Sequence, residues 1–217
     1  VKGKGVKMDG FFKVDGFFFS FLNRVANLVL LNIMFILSCL PIVTIGPALA
    51  ALYQVSLQSV NDAYLTVYKD YSKAFKEHFI TGSLLFLVQF LAVAILGLVL
   101  FVVSRFNLLL SLPFFVVAAG ICLYLPYTFA LLAIQKNSLL NTIKAAFYLM
   151  LSHVAESILM FGEAVIMLVI LPIFLPKSLF FVLSFGFAFV CYLQSISLKK
   201  IVYQAVVTEE DAAEAEH

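Results

Sequence analysis

Leu40-Pro41-Ile42-Val43-Thr44-Ile45-Gly46-Pro47 interrupts 37 uncharged residues that run from Val25 to Asn61. Pro41 has no N–H to donate and disfavours helix at the residue before it, so the apolar run ending at Cys39 stops there. A second helix starts near Gly46, because Pro47 suits a first helical position and Thr44 or Gly46 can serve the helix start. Gly46 and Ala50 fall on one face, where small side chains let apolar helices approach closely in lipid. Pro41, Thr44, Gly46 and Pro47 therefore read as an elbow inside an apolar hairpin. Its role is either structural or that of a ligand-binding break.

Working outward, the whole chain is too apolar for a water-soluble core. Of 217 residues 64% are hydrophobic and only 12% charged, and the mean hydropathy is +1.09. Lipid must be its solvent. Trp is absent among 24 Phe and 9 Tyr, so interfacial anchoring falls to Tyr, Lys and Arg. The expected fold is an all-α membrane protein of about six transmembrane helices in the cell membrane. The first two are short, Val25 to Leu40 and Pro47 to Val60, the second carrying Gln54, Ser56, Gln58 and Ser59. Further spans follow at Thr81 to Ser104, from near Pro113 to Gln135 with a kink at Pro126, at Glu156 to Leu175 and at Ser178 to Leu198. Residues 1–24 form an N-terminal interfacial segment, 25–200 one polytopic domain, and 201–217 a cytoplasmic acidic tail that should fray. The first apolar run lacks a small-residue cleavage site after it and reads as a retained span.

Charge placement gives the orientation. With the N-terminus inside, 12 of the 14 basic residues are cytoplasmic, and Arg105 and Lys177 lie outside. This asymmetry satisfies the positive-inside rule only if the 41–47 hairpin returns, as two short spans or as a re-entrant pair. Both termini are then cytoplasmic. Two amphipathic cytoplasmic helices are expected, Val67 to Phe79 and Ser138 to His153, and Lys69, Lys73, Lys76 and Lys144 are candidate docking residues on them. The structural alternative is that these lysines meet anionic headgroups. Pro47 to Ser59 can also be laid over Pro126 to Ser138, a faint internal repeat whose axis would lie along the membrane normal.

The quoted stretch, preceded by Phe21-Leu22-Asn23-Arg24-Val25-Ala26-Asn27-Leu28 and Leu31-Asn32, resembles the YesL-like family of bacterial integral membrane proteins, domain of unknown function 624. Ala51-Leu52-Tyr53, Ala74-Phe75-Lys76-Glu77-His78-Phe79 and Asn141-Thr142-Ile143-Lys144-Ala145-Ala146-Phe147 continue the likeness. The resemblance implies a link to carbohydrate uptake, with a component of a carbohydrate transport system as partner. It supplies no catalytic or binding residues.

Candidate chemistry is sparse. Glu163 lies inside the fifth span, where an ionised acid costs about 2.5–3.5 kcal/mol on insertion scales. With Glu156 and His153 it forms a candidate proton or cation path; the alternative is a neutral, hydrogen-bonded packing acid. His78 reads as interfacial and Gln89 as a bond between helices. Cys39, Cys122 and Cys191 are far apart and read as packing residues. No phosphate-binding loop, His-Glu-x-x-His or Gly-x-Ser-x-Gly occurs, and Lys144-Ala145-Ala146 lacks the acid and glycine of an importer permease loop. No cofactor, metal, nucleic-acid partner or enzymatic activity is expected. An accessory membrane protein is the leading reading, and a small transporter or channel using the fifth span is the alternative.

Overall fold

The computed structural model describes the backbone of residues 11–61, 66–106, 108–134 and 139–215, and the side chains of 22–60, 66–105, 111–134, 139–175 and 177–201. Lys2, Lys4, Lys7 and Lys136 lie outside the described residues. The helices are α1 (Phe11–Ser38), α2 (Ile45–Asn61), α3 (Val67–Glu77), α4 (Phe79–Phe106), α5 (Leu108–Ile134), α6 (Leu139–Ser152), α7 (Val154–Val165), α8 (Leu171–Phe174), α9 (Leu179–Phe181) and α10 (Phe187–Ala215). Two π-helical turns, Ile166–Ile170 and Val182–Gly186, join α7 to α8 and α9 to α10. Five of the described helical stretches are long and apolar enough to cross a membrane: Ile42–Val60, Phe79–Arg105, Ser111–Ile134, Val154–Phe174 and Leu179–Ile201. The chain is a multi-pass, all-α protein of the cell membrane. Leu22–Ser38, where the first span was expected, is apolar but shorter. The acidic stretch expected to fray continues α10 to Ala215, as its alanines and glutamates favour helix.

Proline ends the first run as expected: α1 stops at Ser38, and a 3-10 turn, Ile42–Thr44, leads into α2. The Thr44 hydroxyl lies 2.6 Å from both the Ser38 and the Pro41 carbonyl oxygens, covering acceptors that the broken helix leaves open. This matters because Leu40, Ile42 and Val43 around it are exposed apolar residues, the surface that lipid covers. The two arms lean on different neighbours. α2 packs on α4, α5, α3 and α10, whereas α1 packs mainly on the second π-helical turn and on α3.

The height of the elbow follows from α2's contacts. Gly46 and Pro47 lie against Gly82, near the start of α4: a Cβ on Gly82 would come within 2.7 Å of the Pro47 nitrogen, and one on Gly46 within 2.7 Å of the Gly82 carbonyl carbon. Two glycines are what this backbone approach needs. Farther along α2, Gln54 meets His78, so α2 and α4 run antiparallel from this crossing. Leu49, Leu52 and Tyr53 share a cavity wall with Leu125, Pro126 and Phe129, and Gln54 and Leu57 share another with Ala133 and Ile134. Thus α2 runs beside only the second half of α5. The first half of α5 continues past the elbow by about 20 Å at helical rise, and α4 beyond Gly82 by about 36 Å.

Element order, hydrogen bonds and burial recur along the chain, in a register that differs from the Pro47-on-Pro126 alignment. α2–α3–α4 and α5–α6–α7 share one plan: a long helix, an amphipathic helix, a histidine at the break, and a further helix. His78 N–H donates to Ala74 O and Gly82 N–H to His78 O; His153 N–H donates to Leu149 O and Ser157 N–H to His153 O. These pairs are all 75 residues apart. In this register Val67, Tyr71, Ala74 and Leu85 are buried in one unit, and Thr142, Ala146, Leu149 and Met160 in the other. Lys69 falls on Lys144, Leu84 on Leu159 and Phe86 on Phe161. The first-span alignment was four residues off because the two prolines do different work. Pro47 starts α2, whereas Pro126 sits inside α5.

Candidate functional site

The interior of the bundle carries polar side chains that pair with one another. Tyr53 on α2 donates its hydroxyl to Gln194 Oε1 on α10. The Gln194 amide nitrogen donates to the Met160 carbonyl at 2.9 Å, so α2, α10 and α7 are tied through one residue. Gln89 on α4 donates to Thr128 Oγ1 on α5 at 2.9 Å, and Ser157 on α7 donates to Tyr127 Oη on α5 at 2.9 Å. All six of these side chains are buried. In lipid such bonds hold helices together where the hydrophobic effect cannot.

Asn32 is the polar residue that sequence reasoning left without a role. Fully buried, it donates from Nδ2 to Leu183 O at 2.7 Å and accepts at Oδ1 from Ala188 N–H at 3.1 Å. These two backbone groups are five residues apart, Leu183 within the π-helical turn Val182–Gly186 and Ala188 just beyond it. The Asn32 amide is thus inserted into the hydrogen-bond ladder of the last helix, and a side chain inserted there produces such a distortion. Phe35, one turn on, packs on Phe187 with ring centroids 5.4 Å apart. The available signal was one carboxamide in an otherwise apolar run, but its partners are backbone groups and carry no sequence signature.

Between these ties lies a cavity of about 420 Å³ bounded by α1, α2, α5, α7 and α10. Its wall includes Phe129, Phe161 and Leu168, with Tyr53 and Gln194 already bonded to each other. Cys191, a free thiol, is on the same wall. The space suits an apolar occupant more than a hydrated ion.

The sequence-derived candidates separate into three places. Pro41, Thr44, Gly46 and Pro47 form the elbow, with Gly46 and Pro47 buried and Pro41 exposed. His153 sits at the α6–α7 break, Glu156 in the first turn of α7 and Glu163 two turns later. No hydrogen bond joins the three, and His153 Nδ1 and Glu163 Oε2 are buried without a partner. Lys69, Lys73 and Lys76 are exposed on α3, whose opposite face buries Val67, Tyr71 and Ala74. Burial pushes the Tyr71 phenol up from its usual range. Lys144 is exposed on a different helix, α6, which packs on α5, while α3 packs on α1 and α2. His78, read as interfacial, is buried, with Nε2 2.7 Å from Gln54 Oε1. Among the described residues, no three His, Cys, Asp or Glu side chains gather to hold a metal ion.

Residues 28–102 match the family model described as Protein of unknown function, DUF624. Over this segment, about a third of its length, the chain is similar to the DUF624 family. No curated protein and no solved structure matches the chain. The DUF624 match begins within α1, includes the elbow, α2 and α3, and runs through most of α4. It covers Asn32, Gly46, Gly82, His78 and the three lysines of α3, while the second unit, α5–α6–α7, lies beyond it.

Proposed function

We propose that the protein is a non-enzymatic accessory component of the membrane, acting by contact with a partner through the exposed face of α3. The observation that carries this reading is the division of labour on that helix. Val67, Tyr71, Ala74 and the buried His78 after it hold one face, leaving Lys69, Lys73 and Lys76 exposed as a fixed cationic row. The interior supports the same reading, because its main polar groups bond to each other. The partner suggested by the YesL-like resemblance is a component of a carbohydrate transport system.

In the orientation that goes with this proposal, both termini and both amphipathic helices are cytoplasmic. The elbow contacts residue 82, near the cytoplasmic end of α4, which favours the re-entrant alternative for α1 and α2. That arrangement keeps the 12-to-2 division of basic residues.

Changing Lys69, Lys73 and Lys76 together to Glu should remove a partner that co-purifies in mild detergent, with membrane insertion unchanged. A partner that stays bound, or none with the unmodified protein, refutes the docking role. A second reading, a proton or cation path, is favoured by the buried, unpartnered Glu163 Oε2. Purified protein in liposomes separates the two: a pH-dependent flux lost in Glu163→Gln would establish the path, whereas a docking protein gives none.

A further inference from the structure

A second cavity, of about 590 Å³, lies between α4, α5 and α6, on a different side of the bundle from the central one. Its wall is apolar, with Val88, Ala92, Val117, Ile121, Phe147 and Met150 contributing. Val88, Val117 and Phe147 are each about half exposed, so in a bilayer the groove opens toward acyl chains. Two features distinguish it from a bare lipid-facing furrow. Lys144, exposed on α6, places a cation on its wall. Gln89, only 7% exposed, lines the same wall beside Tyr124, its Nε2 donating to Thr128 and its Oε1 without a hydrogen-bond partner.

From this combination we propose that the groove is a binding site for one anionic phospholipid with a hydroxyl-bearing headgroup, such as phosphatidylglycerol. Each part of that lipid answers a feature of the site. An acyl chain fills the apolar wall, the phosphate pairs with the Lys144 ammonium, and a headgroup hydroxyl donates to Gln89 Oε1. Cationic pockets between helices on the cytoplasmic side are where anionic headgroups are held. Phosphatidylcholine offers the chains and the phosphate but carries no net charge and no hydroxyl donor. The equivalent lysine of the first unit, Lys69, lies on α3, which packs on α1 and α2, and is absent from the groove wall.

Gly120 supplies the steric control. It lines the groove, and a Cβ there meets nothing within 4 Å, so the side chain of Gly120→Phe starts in open space and should fill the groove. The full-length protein, purified in detergent, is titrated with phosphatidylglycerol or phosphatidylcholine and bound lipid is counted by native mass spectrometry. A phosphatidylglycerol with a photoactivatable acyl chain is then cross-linked and its attachment site mapped. The unmodified protein should retain one phosphatidylglycerol in preference to phosphatidylcholine and cross-link within 88–92, 117–124 or 143–150. Lys144→Gln should reduce that preference about fivefold, the effect of one lysine at an anionic surface. Gln89→Leu should weaken phosphatidylglycerol alone, and Gly120→Phe should abolish labelling of the groove. Equal retention of the two lipids, cross-links elsewhere, displacement by inorganic phosphate, or cross-links between protein copies through this face would each overturn the proposal. Should Gly120→Phe fail to fold, the lipid preference of Lys144→Gln still decides.

Discussion

The two repeated units solve the same joint differently. In α2–α3–α4, the break at His78 is closed by backbone: Gly82 takes Pro47 and Gly46 at contact distance, and His78 is buried against Gln54. In α5–α6–α7 the equivalent of Gly82 is Ser157, whose hydroxyl donates to Tyr127 Oη, and His153 keeps Nδ1 without a partner. A glycine contact gains packing by bringing main chains together; a serine gains a hydrogen bond and keeps the helices a side chain apart. The first unit is therefore the tighter, and it is the one within the DUF624 match. The second leaves room, and the 590 Å³ groove opens beside its amphipathic helix.

The comparison would break altogether if the two joints faced opposite sides of the membrane. Single cysteines replacing Lys73 and Asn141, in a background lacking Cys39, Cys122 and Cys191, should label from the same side of intact cells, and one replacing Lys177 from the other. Labelling of positions 73 and 141 from opposite sides would remove the repeat's axis along the membrane normal.

Next in size is the glycine contact itself. Gly46→Leu or Gly82→Leu drives a branched side chain into main chain that cannot retreat, and should cost about 3 kcal/mol, the upper end for overpacking. The readout is folded yield and thermal stability in detergent. Ser157→Leu, at the equivalent position, should be milder, because a side chain already occupies the space. Equal losses would mean that the two joints are packed alike.

The histidines come third. His78→Ala leaves the half-buried Gln54 Oε1 without its partner and should cost about 1–1.5 kcal/mol, the upper end for the net worth of one hydrogen bond. His153→Ala strands nothing that is bonded through its ring, so its loss should stay near 0.5 kcal/mol. Between these two in size, Ser157→Ala should cost about 1 kcal/mol, the net worth of one hydrogen bond, and Tyr127→Phe should add little to it in a double-mutant cycle.

Much of this plan was legible beforehand, for reasons that individual residues make plain. Pro41, Gly46 and Pro47 announce a break because their backbone chemistry is local. The face of α3 was readable only in part: helical spacing groups Tyr68, Tyr71, Phe75 and Phe79, whereas the buried face is Val67, Tyr71 and Ala74, with Tyr68 and Phe79 exposed. The height of the elbow was not readable, because it depends on Gly46 meeting Gly82, and two small residues 36 positions apart carry no mutual mark. The repeat register was obscured for a related reason. Lys69 with Lys144 and His78 with His153 are the anchors, but Pro47 and Pro126 suggest a different offset. Lys144 looked like a companion of the α3 lysines because its charge and amphipathic helix are similar; its location depends on α6 packing against α5.

The bridge made by Asn32 has a consequence for how the chain is assembled. Its two partners, Leu183 O and Ala188 N–H, belong to a segment synthesised some 150 residues later, so the early helix enters the bilayer with its carboxamide still without these partners. Until the last membrane helix arrives, that group must find temporary hydrogen bonds or remain near water, since an unsatisfied amide in hydrocarbon is costly. A chain truncated before residue 183 would keep this polar mark open. α1 thus awaits α10, and their joining is a chemical record that translation has passed residue 188.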